Sequence, residues 1–109
     1  GRGYYLDDDG PPLVSIEFDG IIIVDNEVVD YAFDSKYIIV YRKINDDLDN
    51  SIDDYNYKKK NGTNYEYWII DKINHRNYGH LNYDAFIEKR SVLLISKKLL
   101  LDTTKNRLY

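Results

Sequence analysis

The side chains in this sequence most able to do chemistry are aspartates that follow the longest run of β-forming residues. We treat five of them as one acidic cluster with a candidate role in partner binding: Asp46, Asp47, Asp49, Asp53 and Asp54. The spacing Asp47-x-Asp49-x-Ser51 is similar to the start of a calcium-binding loop. However, Ile52 stands where such a loop needs glycine, and Lys58 stands where it needs a bidentate glutamate. An EF-hand is therefore excluded. Two interpretations remain open, a solvated loop balanced by the lysines at 58–60 and a docking surface for a basic protein partner.

Other catalytic chemistry has little support in the sequence. The chain contains no cysteine, no serine lies in a Gly-x-Ser-x-Gly turn, and the six glycines never form a phosphate-binding loop. The two histidines, His75 and His80, have Asp71 as a nearby third ligand, but their spacing matches no metal-binding motif. We therefore predict no metal, no cofactor and no catalytic residue, and we expect that the protein is not an enzyme.

Length and charge set further limits. With 109 residues, 43% of them apolar, the chain is predicted to form a single folded domain over residues 1–109. The formal net charge of −4 argues against nucleic-acid binding, because such binding depends on neutralising phosphates with cationic side chains. No apolar run approaches the roughly 20 residues that a membrane-spanning helix needs.

The apolar pattern predicts an α+β fold, an antiparallel β-meander of about five or six strands from Leu13 to Asp71 followed by one helix. Alternation over 13–18, the pair Asp19-Gly20 and the run at 21–24 indicate a tight hairpin, since both central residues of a type I′ turn have positive φ. A turn at 25–27 leads to a strand over 28–33. The run at 37–44 predicts a central strand, and 65–71 predicts a strand with both faces covered.

The remaining segments are predicted to be a loop, a helix and two poorly ordered ends. Residues 45–63 carry little periodic apolar signal and are expected to form a long acidic loop. Asn82 is a candidate N-cap for an amphipathic C-terminal helix from Tyr83 to about Leu94, with Phe86 in the core and the whole helix packed on one face of the sheet. Residues 1–12 and 102–109 are expected to be poorly ordered.

Three stretches taken together resemble a known family. They are the run from Val29 to Ile39, the strand Tyr67-Trp68-Ile69-Ile70-Asp71-Lys72, and Tyr78-Gly79-His80-Leu81 leading to Tyr83, Phe86 and Arg90. In this order they resemble an uncharacterised family of small bacterial proteins, often predicted lipoproteins, that form a domain of unknown function. The resemblance implies an exported chain whose precursor carries a lipid anchor on an N-terminal cysteine outside this sequence. It implies no activity and no site residue.

These observations lead to two hypotheses for function. The first is a non-catalytic protein of the bacterial cell envelope that acts as a binding or interaction domain. The alternative is an immunity protein that neutralises a basic toxin through its acidic surface, because complementary charge speeds encounter and fixes orientation. If the acidic cluster is only a solvated loop, the Tyr and Trp face of the sheet becomes the next candidate binding surface.

Overall fold

Seven strands in two antiparallel sheets, together with two helices, make up the part of the chain that the computed structural model describes, residues 3–10, 13–45 and 51–104. The first sheet contains β1 (Tyr4–Asp8), β2 (Val14–Phe18) and β3 (Ile21–Val24), in that order. The second contains β4 (Val28–Phe33), β5 (Tyr37–Lys43), β6 (Tyr65–Asp71) and β7 (Arg76–Leu81), again in chain order. Helix α1 is Ile52–Asn61 and helix α2 is Tyr83–Val92.

The predicted hairpin is present in the first sheet. Strands β2 and β3 pair antiparallel, and Asp19 and Gly20 between them have φ values of 50° and 81°. Both turn residues therefore take the positive φ that the Asp-Gly pair indicated. Within residues 1–12, which the sequence predicts to be poorly ordered, Tyr4–Asp8 forms β1 and pairs with β2 from Tyr4↔Phe18 to Asp8↔Val14.

In the second sheet, β5 and β6 are the two central strands. They pair in register from Tyr37↔Asp71 to Lys43↔Tyr65, which confirms the predicted central position of the run at 37–44. Both faces of β6 are covered, as its sequence indicated. Trp68 and Ile70 face the first sheet, whereas Tyr67 and Ile69 face helix α2.

Three layers result, with the second sheet in the middle. One core lies between the two sheets and includes the fully buried Val14, Val24 and Val40. The other lies between the second sheet and α2 with the segment that follows it, and it includes Phe86 and Ile69. The predicted packing of the C-terminal helix on one sheet face is confirmed, and Asn82 is its N-cap, accepting a hydrogen bond from the Ala85 amide at 2.8 Å.

The α+β class is confirmed, but a single meander of five or six strands with one helix is wrong. After the turn at 25–27 the chain does not add a fourth strand to the first sheet. The Glu27 and Lys43 backbones bond to each other reciprocally, at 2.9 and 3.0 Å, so β4 lies beside β5 and begins the second sheet. Splitting the strands between two sheets buries the apolar side chains of both inner faces against each other, which one flat sheet could not do.

The prediction of a loop over 45–63 is wrong for residues 52–61, which form α1. Its Ser51 N-cap accepts a hydrogen bond from the Asp54 amide, and Gly62 ends it with a φ of 64°. The helix was missed because it buries only Asp54 and Tyr57 within its length, so its apolar periodicity is weak.

Candidate functional site

A buried cluster of charged side chains joins α1 to the second sheet. At its centre is Arg42 of β5, which is 2% exposed. Its guanidinium donates to both carboxylate oxygens of Asp54, at 2.8 and 3.1 Å, and to Glu66 Oε1 at 2.6 Å. Its Nε donates to the carbonyl oxygens of Asp25 and Asn26 at 2.8 and 2.9 Å. Arg42 therefore ties α1, β6 and the turn between the two sheets to one side chain.

Glu66 of β6 is completely buried and has further partners. Trp68 Nε1 donates to Glu66 Oε1 at 3.0 Å, and His80 Nδ1 is hydrogen-bonded to Glu66 Oε2. His80 Nδ1 also lies 3.8 Å from Asp54 Oδ1. With protonated His80, the cluster of Arg42, Asp54, Glu66 and His80 carries two positive and two negative charges, so it is neutral as a whole.

The pKa values of two of these groups follow from their surroundings. The hydrogen bond to Glu66 is the largest influence on His80 and raises its pKa above the ordinary value, although burial acts in the opposite direction. Burial by itself favours the neutral form of Asp54, but its bonds to Arg42 outweigh this and lower the pKa of that carboxyl. Both shifts favour the fully charged cluster, so its charges stabilise one another.

Asp54, Glu66 and His80 also have the chemistry of a cation site. Their ligand atoms lie within 4.8 Å of one another. In this structure the guanidinium of Arg42 already provides the cation that the two carboxylates need. We therefore interpret the cluster as an ionic clamp that holds α1 on the sheet.

An aromatic groove is the second candidate site, and it lies between the two sheets on the side away from α2. Its volume is about 440 Å³. Its lining residues come from β1, β2, β4, β5 and the turn between β6 and β7, and they include Tyr4, Tyr5, Phe18, Tyr31, Phe33 and His75. The Tyr4 and Phe18 rings have centroids 4.6 Å apart, and the Phe18 and His75 rings 5.2 Å apart. A cleft of this size and composition is typical of a site for a small ligand or a short peptide.

A β-bulge in β4 directs two of these rings into the groove. The register with β5 shifts between Val28 and Asp30, so Val29 packs towards α2 whereas Tyr31 and Phe33 line the groove. Regular alternation would place Val29, Tyr31 and Phe33 on the same face. The bulge breaks this alternation and aims the two rings, which are stacked with centroids 6.3 Å apart, at the cleft.

Polar groups at the groove are few and lie at its edges. The Lys72 Nζ is 5.5 Å from the centre of the Phe33 ring, and the Tyr4 hydroxyl lies 3.3 Å from His75 Nδ1. The Tyr5 hydroxyl donates to Glu17 at 2.9 Å, and this bond is the largest cause of the raised pKa of Tyr5. The groove therefore presents mainly aromatic ring faces to a ligand, with a few hydrogen-bonding groups at its edges.

The structure does not bring the predicted acidic cluster together as one exposed surface. Asp46, Asp47 and Asp49 lie outside the described residues. Asp53 is exposed in the first turn of α1, but Asp54 is buried against Arg42. The prediction that Asp54 lies in a solvent-facing loop is therefore wrong, because its position in α1 turns it towards the sheet.

The histidines and Asp71 are also separated. His75 lines the groove and His80 belongs to the charged cluster. Asp71 accepts hydrogen bonds from the backbones of Ile73 and Asn74 and from the Asn74 side chain, which shapes the turn after β6.

Sequence reasoning missed Arg42, Glu66 and the aromatic groove. A signal for the first two was present, because Arg42 continues the buried face of Ile38 and Val40. Glu66 likewise continues the face of Trp68 and Ile70. A charge on a buried strand face predicts a buried partner of opposite charge.

Comparisons with known proteins place the chain in a family without assigning a role. Residues 13–105 match the family model described as "Protein of unknown function (DUF3997)", and the chain belongs to this family. This confirms the predicted membership of an uncharacterised family. No curated protein and no solved structure matches the chain. In the described part of the chain, neither helix has the length and apolar character needed to cross a membrane.

Proposed function

We propose that this protein is a non-catalytic binding domain that takes an extended peptide segment of a partner protein into the aromatic groove. The observation that carries the proposal is the bulge in β4, which turns Tyr31 and Phe33 away from the α2 side and into the cleft. Phe33 is 62% exposed and Tyr31 is 40% exposed. Large apolar rings held open to solvent by an irregularity in the backbone are typical of a recognition surface.

An extended peptide suits the groove because, in the described part of the chain, two of its walls are the outer strands of their sheets. Among the residues that the structure describes, β1 and β4 each have one neighbouring strand in their sheet, and the Asp102 amide bonds to the Asp30 side chain of β4. An edge strand can pair with the backbone of an extended peptide, while the cleft receives its alternate side chains. Aromatic walls favour apolar or aromatic side chains at those positions.

The non-catalytic part of the proposal is supported by the charged cluster. The carboxylates of Asp54 and Glu66 accept hydrogen bonds from Arg42, Trp68 and His80, so both are engaged in holding the fold. Groups so engaged are poorly suited to taking up a substrate proton.

The test is a titration of the ¹⁵N-labelled protein with two synthetic heptapeptides. One alternates phenylalanine with serine, and the other replaces each phenylalanine with alanine. We expect the first peptide to shift the amide signals of β1, β4 and the turn at residues 72–75. We expect the second to bind at least tenfold more weakly, because each aromatic ring buries a large apolar area.

A matched pair of variants separates the groove from the rest of the surface. Phe33→Ser should abolish the shifts without unfolding the domain, because Phe33 is mostly exposed. Ile52→Ser removes a side chain on α1 that is 71% exposed and does not line the groove, so this variant should bind as the wild type does. Shifts that map outside the groove, or equal binding by both peptides, would contradict the proposal.

The cellular setting is a separate part of the proposal and depends on the sequence resemblance. We propose an exported, cell-envelope location with a lipid anchor in the precursor. Sequencing the full gene product tests it, since a short apolar signal that ends in cysteine is required. The alternative role as an immunity protein stays a prediction, and its proposed surface now lacks Asp54.

A further inference from the structure

The turn that follows α2 has a leucine where this kind of turn favours glycine. The Leu94 amide bonds to the Ser91 carbonyl at 3.1 Å, and the Ile95 amide bonds to the Arg90 carbonyl at 3.0 Å. This pair of bonds defines a Schellman motif with Leu94 at the left-handed position, where its φ is 56°. A leucine in this conformation strains the backbone, because its Cβ approaches the carbonyl oxygen.

The strained conformation of Leu94 is not accompanied by packing of its side chain. It is 87% exposed, the highest value among the exposed large hydrophobic side chains of the described residues. Its neighbours Leu93 and Ile95 pack on the core instead. Arg90 fixes the shape of the turn by donating to the carbonyl oxygens of Ser96 and Leu99, both at 2.7 Å. The fold thus holds an apolar side chain outward on an ordered turn.

The chain segment that contains Leu94 is apolar and basic. We name the segment 92–100 the leucine turn. Val92 and Leu100 in this segment are 68% and 73% exposed, and Lys97 and Lys98 are also exposed. The segment contains no acidic residue, although the chain as a whole has a net charge of −4. A local positive charge beside protruding apolar side chains is complementary to an anionic lipid surface.

We propose that the leucine turn binds the surface of an anionic lipid bilayer, with Leu94 inserted among the lipids and Lys97 and Lys98 at the headgroups. A bilayer suits this turn better than a protein partner does. A protruding side chain needs a matching pocket on a protein, whereas lipid accepts it without one. The inference does not depend on the aromatic groove.

The test is co-sedimentation of the purified protein with vesicles of phosphatidylglycerol mixed with phosphatidylcholine, compared with vesicles of phosphatidylcholine alone. The wild type should bind the anionic vesicles and bind the neutral vesicles more weakly. Leu94→Gly should weaken binding about tenfold or more, because it removes the inserted side chain. The same variant should melt at a higher temperature, because glycine relieves the strain. Weak binding therefore cannot come from unfolding.

Two further variants complete the design. Lys97→Gln with Lys98→Gln should weaken binding to anionic vesicles by roughly fivefold per lysine and leave binding to neutral vesicles unchanged. Ile52→Ser, which removes a 71% exposed side chain on α1, should leave binding unchanged and serves as the control.

Three outcomes would overturn the proposal. One is a wild type that binds neither kind of vesicle, and another is Leu94→Gly binding as well as the wild type. The third is wild-type self-association on gel filtration that Leu94→Gly abolishes, which would assign the turn to a protein interface.

Discussion

The sharpest test of the structure is removal of the Arg42 guanidinium from the charged cluster. Arg42→Met keeps a long apolar stem in the same place but removes the five hydrogen bonds that the side chain donates within the described part of the chain. Asp54 and Glu66, which are 4% and 0% exposed, then lose the cation that both of them contact. Breaking a buried ion pair in this way costs about 3 to 5 kcal/mol.

This magnitude is large against the total stability of a domain of this size. The free energy of unfolding of a single domain is typically about 5 to 15 kcal/mol. With a urea dependence of about 2 kcal/mol per molar, the urea midpoint should fall by about 2 M. Urea unfolding followed by the fluorescence of Trp68 measures this directly, because the indole is bonded to Glu66.

A second variant distinguishes an unpaired charge from lost packing. Adding Asp54→Asn to Arg42→Met removes one of the two uncompensated carboxylates, so the double variant should be more stable than the sum of the two single effects predicts. The urea midpoint of Arg42→Lys should lie between those of the wild type and Arg42→Met, since lysine keeps the positive charge but cannot make the bidentate hydrogen bonds to Asp54. A urea midpoint for Arg42→Met equal to that of the wild type would refute the interpretation of the cluster as a clamp.

Three further predictions follow from individual residues. Asp54→Asn should lower the free energy of unfolding by about 2 kcal/mol or more, whereas the exposed Asp53→Asn should change it by less than about 0.5 kcal/mol; urea unfolding of both checks this. The folded-state pKa of His80 is raised above its ordinary value of about 6.5. The contribution of protonated His80 to the free energy of unfolding is therefore complete below about pH 6.5 and declines as the pH rises through the folded-state pKa. His80→Asn should therefore remove this decline from stability curves measured between about pH 6 and pH 9, and an unaltered decline would refute the assignment. Gly79→Ala should cost about 1 to 3 kcal/mol in thermal unfolding, because its Cβ would overlap the Trp68 indole; an unchanged melting temperature would show that the ring moves aside at no cost.

Features that depend on neighbouring residues were predictable from the sequence. The hairpin required only Asp19 and Gly20 between two apolar runs, and α2 required Asn82 before an amphipathic stretch. The coverage of both faces of β6 followed from the apolar and aromatic residues at 67–70. Each signal lies within a few residues of the structure it specifies.

Helix α1 is an intermediate case. Ser51, the acidic first turn, the basic last turn and Gly62 are all ordinary helix-end signals. They were outweighed by the scarcity of apolar residues, because much of what α1 buries is the charge of Asp54. A search for apolar residues at helical spacing does not detect a helix that an ion pair holds on the sheet.

The sequence by itself determined the α+β class, the hairpin, the central strands, the C-terminal helix and the family resemblance. Only the tertiary structure decided how the strands divide between two sheets, and therefore where the aromatic groove and the charged cluster lie. The physical reason is distance along the chain. Tyr4 meets His75 across 71 residues and Arg42 meets Glu66 across 24, and no local pattern specifies such pairs. One bulge in β4 then decided which face presents Tyr31 and Phe33.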